Sequence, residues 1–503
     1  MRLVNLIYFV SPFIISGVLA YLTFTNPYLV WLNYGVWLAM VLSVFIFANY
    51  TSTYLRARRY EKRYLGRENE FKIAAFVTSY NEDQEIVKET LLSVKTALKG
   101  RGDVFLLDDS TKEQIVEELR RFCSSNNIIY VHREKREGFK AGAINNALRI
   151  YGDKYDLVAI FDADQRPTSN FFDVILPYFN DPRVAFVQIP QNYTEIDNNI
   201  ARGAKFQQEP FLRIIMRGRD KVSAFSLGSG TIFRTSVLKE VGFMDEDSLT
   251  EDLATSVKIH SKGYISTYYD EQLIWYGEPP LDASSYIQQQ SRWALGYFQS
   301  TGKIIRSNLN FKQFFDYSSG FYYWIKEGIV TLIEILAPII FLLSRQPFLK
   351  LDPLLYALAY FPYFFFSVLI FIVSIKGYEY GFKGFLLHQA NEYLAFTGIT
   401  SAFFSYLLHR KVPFKVTPKG KTMKSIKVTL PHLILLIATI ASIINGFLWL
   451  NYVEDFYLIY SIYINIFWAS WHIPFLTLSI LNSFSSKVNN RLKYLEISSQ
   501  AVK

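Results

Sequence analysis

Cysteine is nearly absent from this chain of 503 residues, which has Cys123 as its one thiol. A single cysteine excludes an internal disulfide and a zinc site of the CxxC type. Charge is also sparse, because Asp, Glu, Lys and Arg make up 19% of the residues, against about 25% in an ordinary soluble domain. Half of the residues are hydrophobic. The length permits a large core, so disorder, collagen and small disulfide scaffolds are excluded. The low charge and high hydrophobic content indicate that part of the chain lies in an apolar environment.

Six long apolar runs account for this shortage of charge. Two precede a polar block and four follow it, at roughly 3–25, 28–50, 328–344, 353–375, 428–450 and 456–481. An apolar helix of about 20 residues crosses the hydrocarbon of a bilayer. The first run is too long for the apolar part of a signal peptide, and the second follows at once. The sequence therefore predicts a multi-pass membrane protein with two helices in 1–50, two in 328–375 and two in 428–484.

Lysine and arginine are concentrated on one side of the predicted membrane. Nineteen lie after the second run, between the fourth and fifth runs and in the tail at 485–503, whereas the opposing connections hold Arg345 and Lys350. Positive residues near span ends mark the cytoplasmic side. We therefore expect a plasma-membrane protein with both termini and the polar block (51–300) in the cytoplasm. This topology explains the net charge of +9 without a nucleic-acid partner.

Two other segments are predicted to lie at the membrane surface. Residues 301–327 connect the polar block to the third run. The stretch 382–408 is apolar but carries five polar side chains between Lys383 and Glu392, and positive residues flank it on both sides. An interfacial helix is therefore preferred here to a seventh span, within a connection that extends from 376 to 427.

The polar block alternates between predicted strands and predicted helices. Short β-branched and aromatic runs indicate strands at 71–79, 104–107, 128–131 and 157–161. Helical spacing separates them at 85–98, 114–123 and 142–149. This alternation implies an α/β fold class with a mainly parallel, Rossmann-like sheet, joined to an α-helical membrane bundle. Ligands of such sheets bind outside the carboxyl ends of the strands.

Acidic groups follow two of these predicted strands. Asp108 and Asp109 follow one strand, and Asp162 and Asp164 follow another. In a D-x-D turn at a strand end, both carboxylates can reach one divalent cation that also binds phosphate oxygens. Aspartate is also common in ordinary turns, which is the alternative for either pair taken singly.

A third acidic group and a polar helical face lie further along the chain. Glu251 and Asp252 open a segment of helical spacing, where capping of the helix is the simpler interpretation. A later helical segment places Gln289 beside Arg292 and Trp293. The arginine suits a diphosphate and the flat indole suits the apolar face of a sugar. A Trp–Arg pair is also common where a helix meets a membrane surface.

Taken in order, these groups resemble the motifs of the processive family 2 glycosyltransferases of the cellulose synthase type. The matching motifs are TSYNE at 78–82, DDS at 108–110, KAG at 140–142, DAD at 162–164, QIPQ at 188–191, FSLGS at 225–229, TED at 250–252, QxxRW at 289–293 and FKVTPK at 414–419. This resemblance covers nearly the whole chain and includes the four apolar runs after the polar block.

The resemblance implies a GT-A domain and an inverting, metal-dependent transfer of sugar from a nucleotide diphosphate sugar, UDP-glucose or a related UDP-sugar. The acceptor would be the end of a growing β-linked polysaccharide that is exported through the membrane. The implied cofactor is Mg²⁺ or Mn²⁺. The implied partners are the nucleotide sugar, a polysaccharide or glycolipid acceptor, the lipid bilayer, and accessory subunits or further copies of the chain.

The resemblance also implies roles for single residues. The donor would contact Thr78, Tyr80, Glu82, Asp108, Lys140, Asp162, Gln289, Arg292, Thr417 and Lys419, the last two in a gating loop that closes over it. The acceptor would contact Trp293, Phe225, Gly228 and Ser229. Asp162 and Asp164 would hold the metal. Asp252, with Glu251 beside it, would be the catalytic base on the acceptor hydroxyl.

Two other functions use the same residues. A non-processive transferase would pass one sugar to a polyprenyl phosphate or another lipid acceptor. A catalytically silent subunit would serve as a membrane channel or scaffold. Trp293 and the loop at 414–419 favour a polymerising enzyme over the first, and the intact acids argue against the second.

Overall fold

The computed structural model describes residues 30–63, 66, 70–194, 197–274, 277–346, 353–378, 380–410 and 426–484. Three sequence predictions lie outside these residues. They concern the first span at roughly 3–25, the loop with Thr417 and Lys419, and the tail at 485–503.

The predicted alternation of strands and helices is present in the polar block. The strands are β1 (Ile73–Ser79), β2 (Gly102–Asp108), β3 (Ile129–His132), β4 (Leu157–Asp162), β5 (Val184–Gln188), β6 (Thr231–Arg234) and β7 (Ile265–Tyr268). The α-helices of the whole described chain are α1 (Val30–Ala57), α2 (Gln84–Leu98), α3 (Glu113–Ser125), α4 (Phe139–Tyr151), α5 (Phe171–Ile175), α6 (Asn199–Pro210), α7 (Thr235–Glu240), α8 (Glu251–Ser261), α9 (Ala283–Arg306), α10 (Phe311–Ile325), α11 (Thr331–Ser344), α12 (Pro353–Ile375), α13 (Gly381–Leu407), α14 (Leu430–Leu450) and α15 (Phe456–Phe484).

The seven strands form one sheet in the order β3-β2-β1-β4-β6-β5-β7. Strand β6 is antiparallel to both of its neighbours, β4 and β5, and the other pairs are parallel. The prediction of a mainly parallel sheet is confirmed. Because β2 and β4 lie on opposite sides of β1, the order of the strands reverses there, and a crevice opens at their carboxyl ends.

The sheet is buried on both faces, which explains why its strands read as continuous apolar runs. Along β1, Val77 packs with Leu91 of α2 on one face, and Phe76 packs with Ile144 of α4 on the other. All four side chains have no exposed surface. The two helices therefore pack against opposite faces of the central strands that lead to the crevice.

Four helices of the described residues are long and apolar enough to cross a membrane, at Leu38–Ala57, Phe311–Ser344, Lys427–Leu450 and Phe456–Phe484. They coincide with predicted spans and make this a membrane protein. The predicted span at 353–375 is also helical as α12, although its fully described apolar part, Tyr363–Ile375, is shorter. Which side of the membrane faces the cytoplasm stays a prediction.

The boundary predicted between interfacial helices at 301–327 and a span from 328 differs in the structure. Residues up to Arg306 belong to α9, and α10 continues through a π-helical turn, Lys326–Val330, into α11. No proline lies between Phe311 and Val330, and the π-helical turn contains Gly328, where a Cβ would lie 2.9 Å from Ile399 Cγ2. The stretch predicted as an interfacial helix at 382–408 forms α13, which packs along α9, α6 and α15.

Candidate active site

Residues from three separate motifs meet at the carboxyl edge of the sheet. Ser79 of β1 pairs with Asp108 of β2, and Thr78 of β1 pairs with Asp162 of β4. The Thr78 hydroxyl donates to the carbonyl of Phe161 at 3.5 Å. Tyr80 and Glu82 follow in the turn before α2. Four of the residues for which the sequence predicts donor contacts, Thr78, Tyr80, Asp108 and Asp162, therefore lie at or next to the carboxyl ends of these strands.

Asp108 supports this edge from inside. Its carboxylate accepts hydrogen bonds from the Ser110 hydroxyl at 2.6 Å and from the Tyr130 hydroxyl at 2.8 Å, and its side chain is fully buried. Its neighbour Asp109 accepts from Nε and Nη2 of Arg133 at 2.9 and 2.6 Å. These bonds fix the turn after β2 around the buried carboxylate of Asp108.

Lys140 brings positive charge to the same edge. It lies in the first turn of α4, whose N-terminus favours anions, and its ammonium contacts the carboxylate of Asp162. Burial lowers the pKa of Lys140, but the charges of Asp162, Glu251 and Asp252 outweigh burial, so the pKa of Lys140 is raised overall. The lysine therefore stays charged at the centre of three carboxylates.

Asp252 lies beside Lys140 although the two are far apart in the sequence. Gly228 shows this proximity, because a Cβ built there would lie 3.1 Å from Asp252 Oδ2 and 3.7 Å from Lys140 Nζ. Burial, together with the charge of Glu251, raises the pKa of Asp252 to about 7. Burial also raises the pKa of Glu251. A carboxylate with a raised pKa in a crevice is suited to proton transfer.

The capping interpretation of these acids is correct only in part. Asp252 Oδ1 accepts from the backbone N–H of Leu253 at 2.8 Å, in the first turn of α8. Thr250, the residue at the N-cap, makes no side-chain hydrogen bond to the helix. The second oxygen of Asp252 is directed towards Gly228, so the carboxylate both stabilises the helix start and faces the crevice.

Helix α9 fixes the start of α8 from the other side. A Cβ on Gly296 would lie 2.6 Å from Thr250 Cγ2 and 2.8 Å from Thr250 N, so only glycine allows this approach. One turn on, the hydroxyls of Ser300 and Ser248 are 2.9 Å apart. Lys303 Nζ donates to both carboxylate oxygens of Asp245 at 2.6 and 2.7 Å. Helix α9 therefore packs against the start of α8 and is hydrogen-bonded to the segment that leads into it.

The same helix carries the QxxRW residues. Gln289 Nε2 donates to the Tyr193 hydroxyl at 3.1 Å. Arg292 lies close to Glu251, and its positive charge lowers the pKa of Glu251, which burial raises. Trp293 is half-buried beside the apolar cluster of α8, α9 and α10. Phe225 borders this cluster too, with its ring 6.3 Å from that of Tyr317.

Ser229 links the FSLGS segment to the acids of β4. Its Oγ accepts from the backbone N–H of Asp162 at 2.9 Å, and its hydroxyl donates to Gln165. Sequence reasoning missed Gln165, although it directly follows the DAD motif. It also missed Arg133 and Tyr193, which carry no motif of their own and which contact Asp109 and Gln289, respectively, in other parts of the chain.

The carboxylates present fit a metal ion that is bound jointly by protein and substrate better than one that is bound by protein side chains alone. The described residues contain no group of three His, Cys, Asp or Glu side chains that could hold a metal ion. Asp162 and Asp164 supply two carboxylates at one strand end, and Asp164 Oδ2 accepts from the N–H of Glu278 at 3.1 Å. Mg²⁺ is commonly bound by one or two carboxylates together with substrate phosphates, which is the donor set that this edge offers.

Comparison with known proteins assigns this domain. Residues 71–296 match the family model "Glycosyltransferase like family 2". They therefore form a glycosyltransferase domain of family 2. The chain is similar to cellulose synthases: it is 28% identical over 283 residues to the cellulose synthase catalytic subunit [UDP-forming] of Pseudomonas fluorescens, an alignment that covers 54% of this chain and 37% of the relative. It is 26% identical over 391 residues to the cellulose synthase 1 catalytic subunit [UDP-forming] of Komagataeibacter xylinus, covering 74% of this chain and 50% of the relative. The chain thus spans half or less of the length of these relatives.

A solved structure shares the fold. The mannosyltransferase of Pyrobaculum calidifontis, in complex with GDP-Man and Mn²⁺, superposes with a TM-score of 0.52 and 17% identity, and the match covers 75% of this chain and all of that one. Together with the sheet topology, this confirms the predicted GT-A-type α/β fold class.

Proposed function

We propose that this protein transfers a sugar from UDP-glucose or a related UDP-sugar to the end of a growing β-linked polysaccharide and passes the product through the membrane. The observation that carries the proposal is the meeting of Lys140, Asp162, Asp252 and Gly228 at the carboxyl edge of a GT-A sheet. The cellulose synthase relatives support the same class of reaction and product.

The diphosphate of the donor would lie between α4 and the DAD turn. Asp162 and Asp164 would hold Mg²⁺ or Mn²⁺, which would offset the negative charge that develops on the leaving diphosphate. Lys140 and the N-terminus of α4 add positive charge at the same place. Arg292 would approach from α9. These groups stabilise the transition state more than the ground state, because the charge on the leaving group grows as the bond to the sugar breaks.

Asp252 would take the proton of the acceptor hydroxyl. The hydroxyl oxygen forms the new bond to the anomeric carbon while the bond to the diphosphate breaks, and the proton passes to a carboxylate oxygen of Asp252. General base catalysis of this kind contributes about 10²–10⁴-fold. One base and one displacement invert the configuration at the anomeric carbon. Trp293, Phe225, Gly228 and Ser229 would hold the acceptor.

Packing of α9, the helix that carries Trp293, against the helical bundle supports coupling of sugar transfer to export of the product. Helix α9 lies against α13, where a Cβ on Gly398 would lie 2.5 Å from Ile287 Cγ2 of α9. The helix that carries Trp293 is therefore in contact with helices that continue towards the membrane. The loop with Thr417 and Lys419 stays a prediction of the sequence.

Synthesis by purified protein in lipid nanodiscs tests the proposal. Radiolabelled UDP-sugars would be supplied singly with Mg²⁺ or Mn²⁺, and products separated by size and by solubility in organic solvent. We expect polymer of high mass from one UDP-sugar, no product with EDTA, and none from Asp252→Asn. A single-sugar product in the lipid fraction would identify the lipid-acceptor transferase instead, and donor left unchanged under all conditions would contradict catalysis.

A further inference from the structure

Arg136 lies against the ring of Tyr80, the aromatic residue that directly follows β1. The guanidinium carbon of Arg136 is 3.5 Å from the centroid of the Tyr80 ring and 5.3 Å from that of Phe139. Its Nε is 3.9 Å from a carboxylate oxygen of Asp109. A planar cation thus covers one face of Tyr80 at the carboxyl edge of the sheet, next to a second aromatic ring.

The loop that carries Arg136 is firmly held. The guanidinium of Arg133 donates to the carbonyls of Glu137 at 2.8 Å and Phe139 at 2.9 Å while it also binds Asp109. Phe139 has a φ of +49°, which is an outlier for a bulky residue. Backbone strain of this kind persists only where surrounding contacts enforce it, and it clusters at functional sites. Arg136 and Phe139 are therefore presented at a defined place.

This place is suited to the nucleobase of the donor. Lys140 and Asp162 mark the diphosphate end of the crevice, and Tyr80 lies at the same sheet edge, after the strand paired with β4. A nucleoside that extends from the diphosphate along this edge would bring its flat base to the Tyr80 ring. The guanidinium of Arg136 is flat as well, so it covers the ring face on which a base would stack. It can only donate hydrogen bonds.

We propose that Arg136 selects the nucleobase, favouring uracil over cytosine by donating to the carbonyl oxygen at position 4 of the pyrimidine. A base that stacks on Tyr80 moves the guanidinium from the ring face to the base edge. Uracil has an acceptor there, as thymine does, whereas cytosine has an amino donor that arginine cannot pair with. This inference rests on the proposed function, which supplies the position of the donor.

Binding of UDP and CDP to the full chain in nanodiscs tests this selection, because the two nucleotides differ only at the ring edge in question. Equilibrium binding would be measured with Mg²⁺ for the wild type, Arg136→Ala, Arg136→Gln and the matched control Arg121→Ala. Arg121 is a highly exposed arginine on α3, paired with Glu117 at 2.9 Å. Thermal unfolding of each variant would verify folding.

We expect the wild type to prefer UDP by about 10-fold or more, within the range of one hydrogen-bonded base contact. Arg136→Ala should reduce this preference to within about 3-fold, chiefly through weaker UDP binding. Arg136→Gln should also lose the preference, because an amide both donates and accepts and can pair with either base. Arg121→Ala should keep the wild-type ratio.

Two results would overturn the inference while UDP still binds. One is that both Arg136 variants bind UDP and CDP as tightly as the wild type does. The other is an equal weakening of both nucleotides, which would mean that Arg136 only stabilises the loop through its contact with Tyr80. If the wild type bound neither nucleotide, the proposed function itself would fail.

Discussion

Gly228 faces the carboxylate of Asp252 so closely that a Cβ atom at position 228 would lie 3.1 Å from Oδ2. Gly228 also has a φ of +83°, which side-chain-bearing residues rarely adopt. The open space beside the proposed base therefore exists only because residue 228 lacks a side chain. It is this space that an acceptor hydroxyl would have to enter.

Replacing Gly228 by alanine should slow transfer about 10- to 100-fold, because the methyl group crowds Asp252 and the backbone is strained by about 1–2 kcal/mol. UDP binding should change little. Gly242→Ala is the matched control, since Gly242 has a φ of +81° but nothing within 4 Å of its Cβ position. Initial rates and thermal unfolding of both variants separate the two effects. Equal losses of activity would mean that backbone strain, and not crowding of Asp252, is responsible.

The rate of transfer should rise with pH through neutrality. Burial raises the pKa of Asp252 to about 7, and a base must be ionised to accept a proton. At saturating donor and acceptor, kcat should therefore increase from pH 6 to pH 8 and level off above. The measurement is a series of initial rates in buffers of constant ionic strength. A flat profile across this range would argue against Asp252 as the proton acceptor.

At pH values above the ordinary pKa of an aspartate, the raised pKa of Asp252 should lower the stability of the folded protein. Because the folded-state pKa of Asp252 exceeds that of an unfolded aspartate, the folded protein binds more protons between the two values, and its stability falls as pH rises through that window. Asp252→Asn removes the buried charge, so its Tm without donor should exceed that of the wild type at pH 8 and match it more closely at pH 5.

Asp153→Asn provides the comparison for that measurement. Asp153 is almost fully exposed, and its hydrogen bond to Lys239 lowers the pKa of its carboxyl group. Its replacement should leave Tm nearly unchanged at pH 8, with any shift downwards. A rise in Tm as large as that of Asp252→Asn would show that a general loss of negative charge, and not relief at the active site, stabilises the chain.

Much of the polar block could be predicted because its periodicity is simple. The helix expected at 85–98 is α2, Gln84–Leu98, and the strand expected at 104–107 is β2, Gly102–Asp108. Strands β5, β6 and β7 were not predicted, and the antiparallel direction of β6 depends on tertiary pairing. The continuity of α10 with α11 was also missed, because a π-helical turn has no clear sequence signal.

Some residues of the candidate site could be predicted from the sequence and others could not. The sequence singles out Asp162 and Asp252 as candidates because their motifs occur in a recognisable order. It does not single out Arg136, because the place of this residue depends on a strained loop and on the Tyr80 ring more than 50 residues earlier in the chain. Residues that position other residues act through tertiary contacts, and a single sequence does not display these.

Close packing between α9 and the start of α8 should be essential for catalysis. In Gly296→Ala the new methyl group would meet Thr250 Cγ2 at 2.6 Å and the backbone N of Thr250 at 2.8 Å, so the helices must move apart. Overpacking of this kind costs about 1–3 kcal/mol, and displacement of Asp252 should reduce kcat by about 10-fold or more. Gly302→Ala lies on the same helix with nothing within 4 Å of the new methyl group, and it should stabilise the chain by about 0.5–1 kcal/mol without loss of activity. Thermal unfolding and initial rates of the two variants give the comparison. If Gly296→Ala kept full activity and the higher stability expected of Gly302→Ala, the contact between α9 and Thr250 would not hold the base in place.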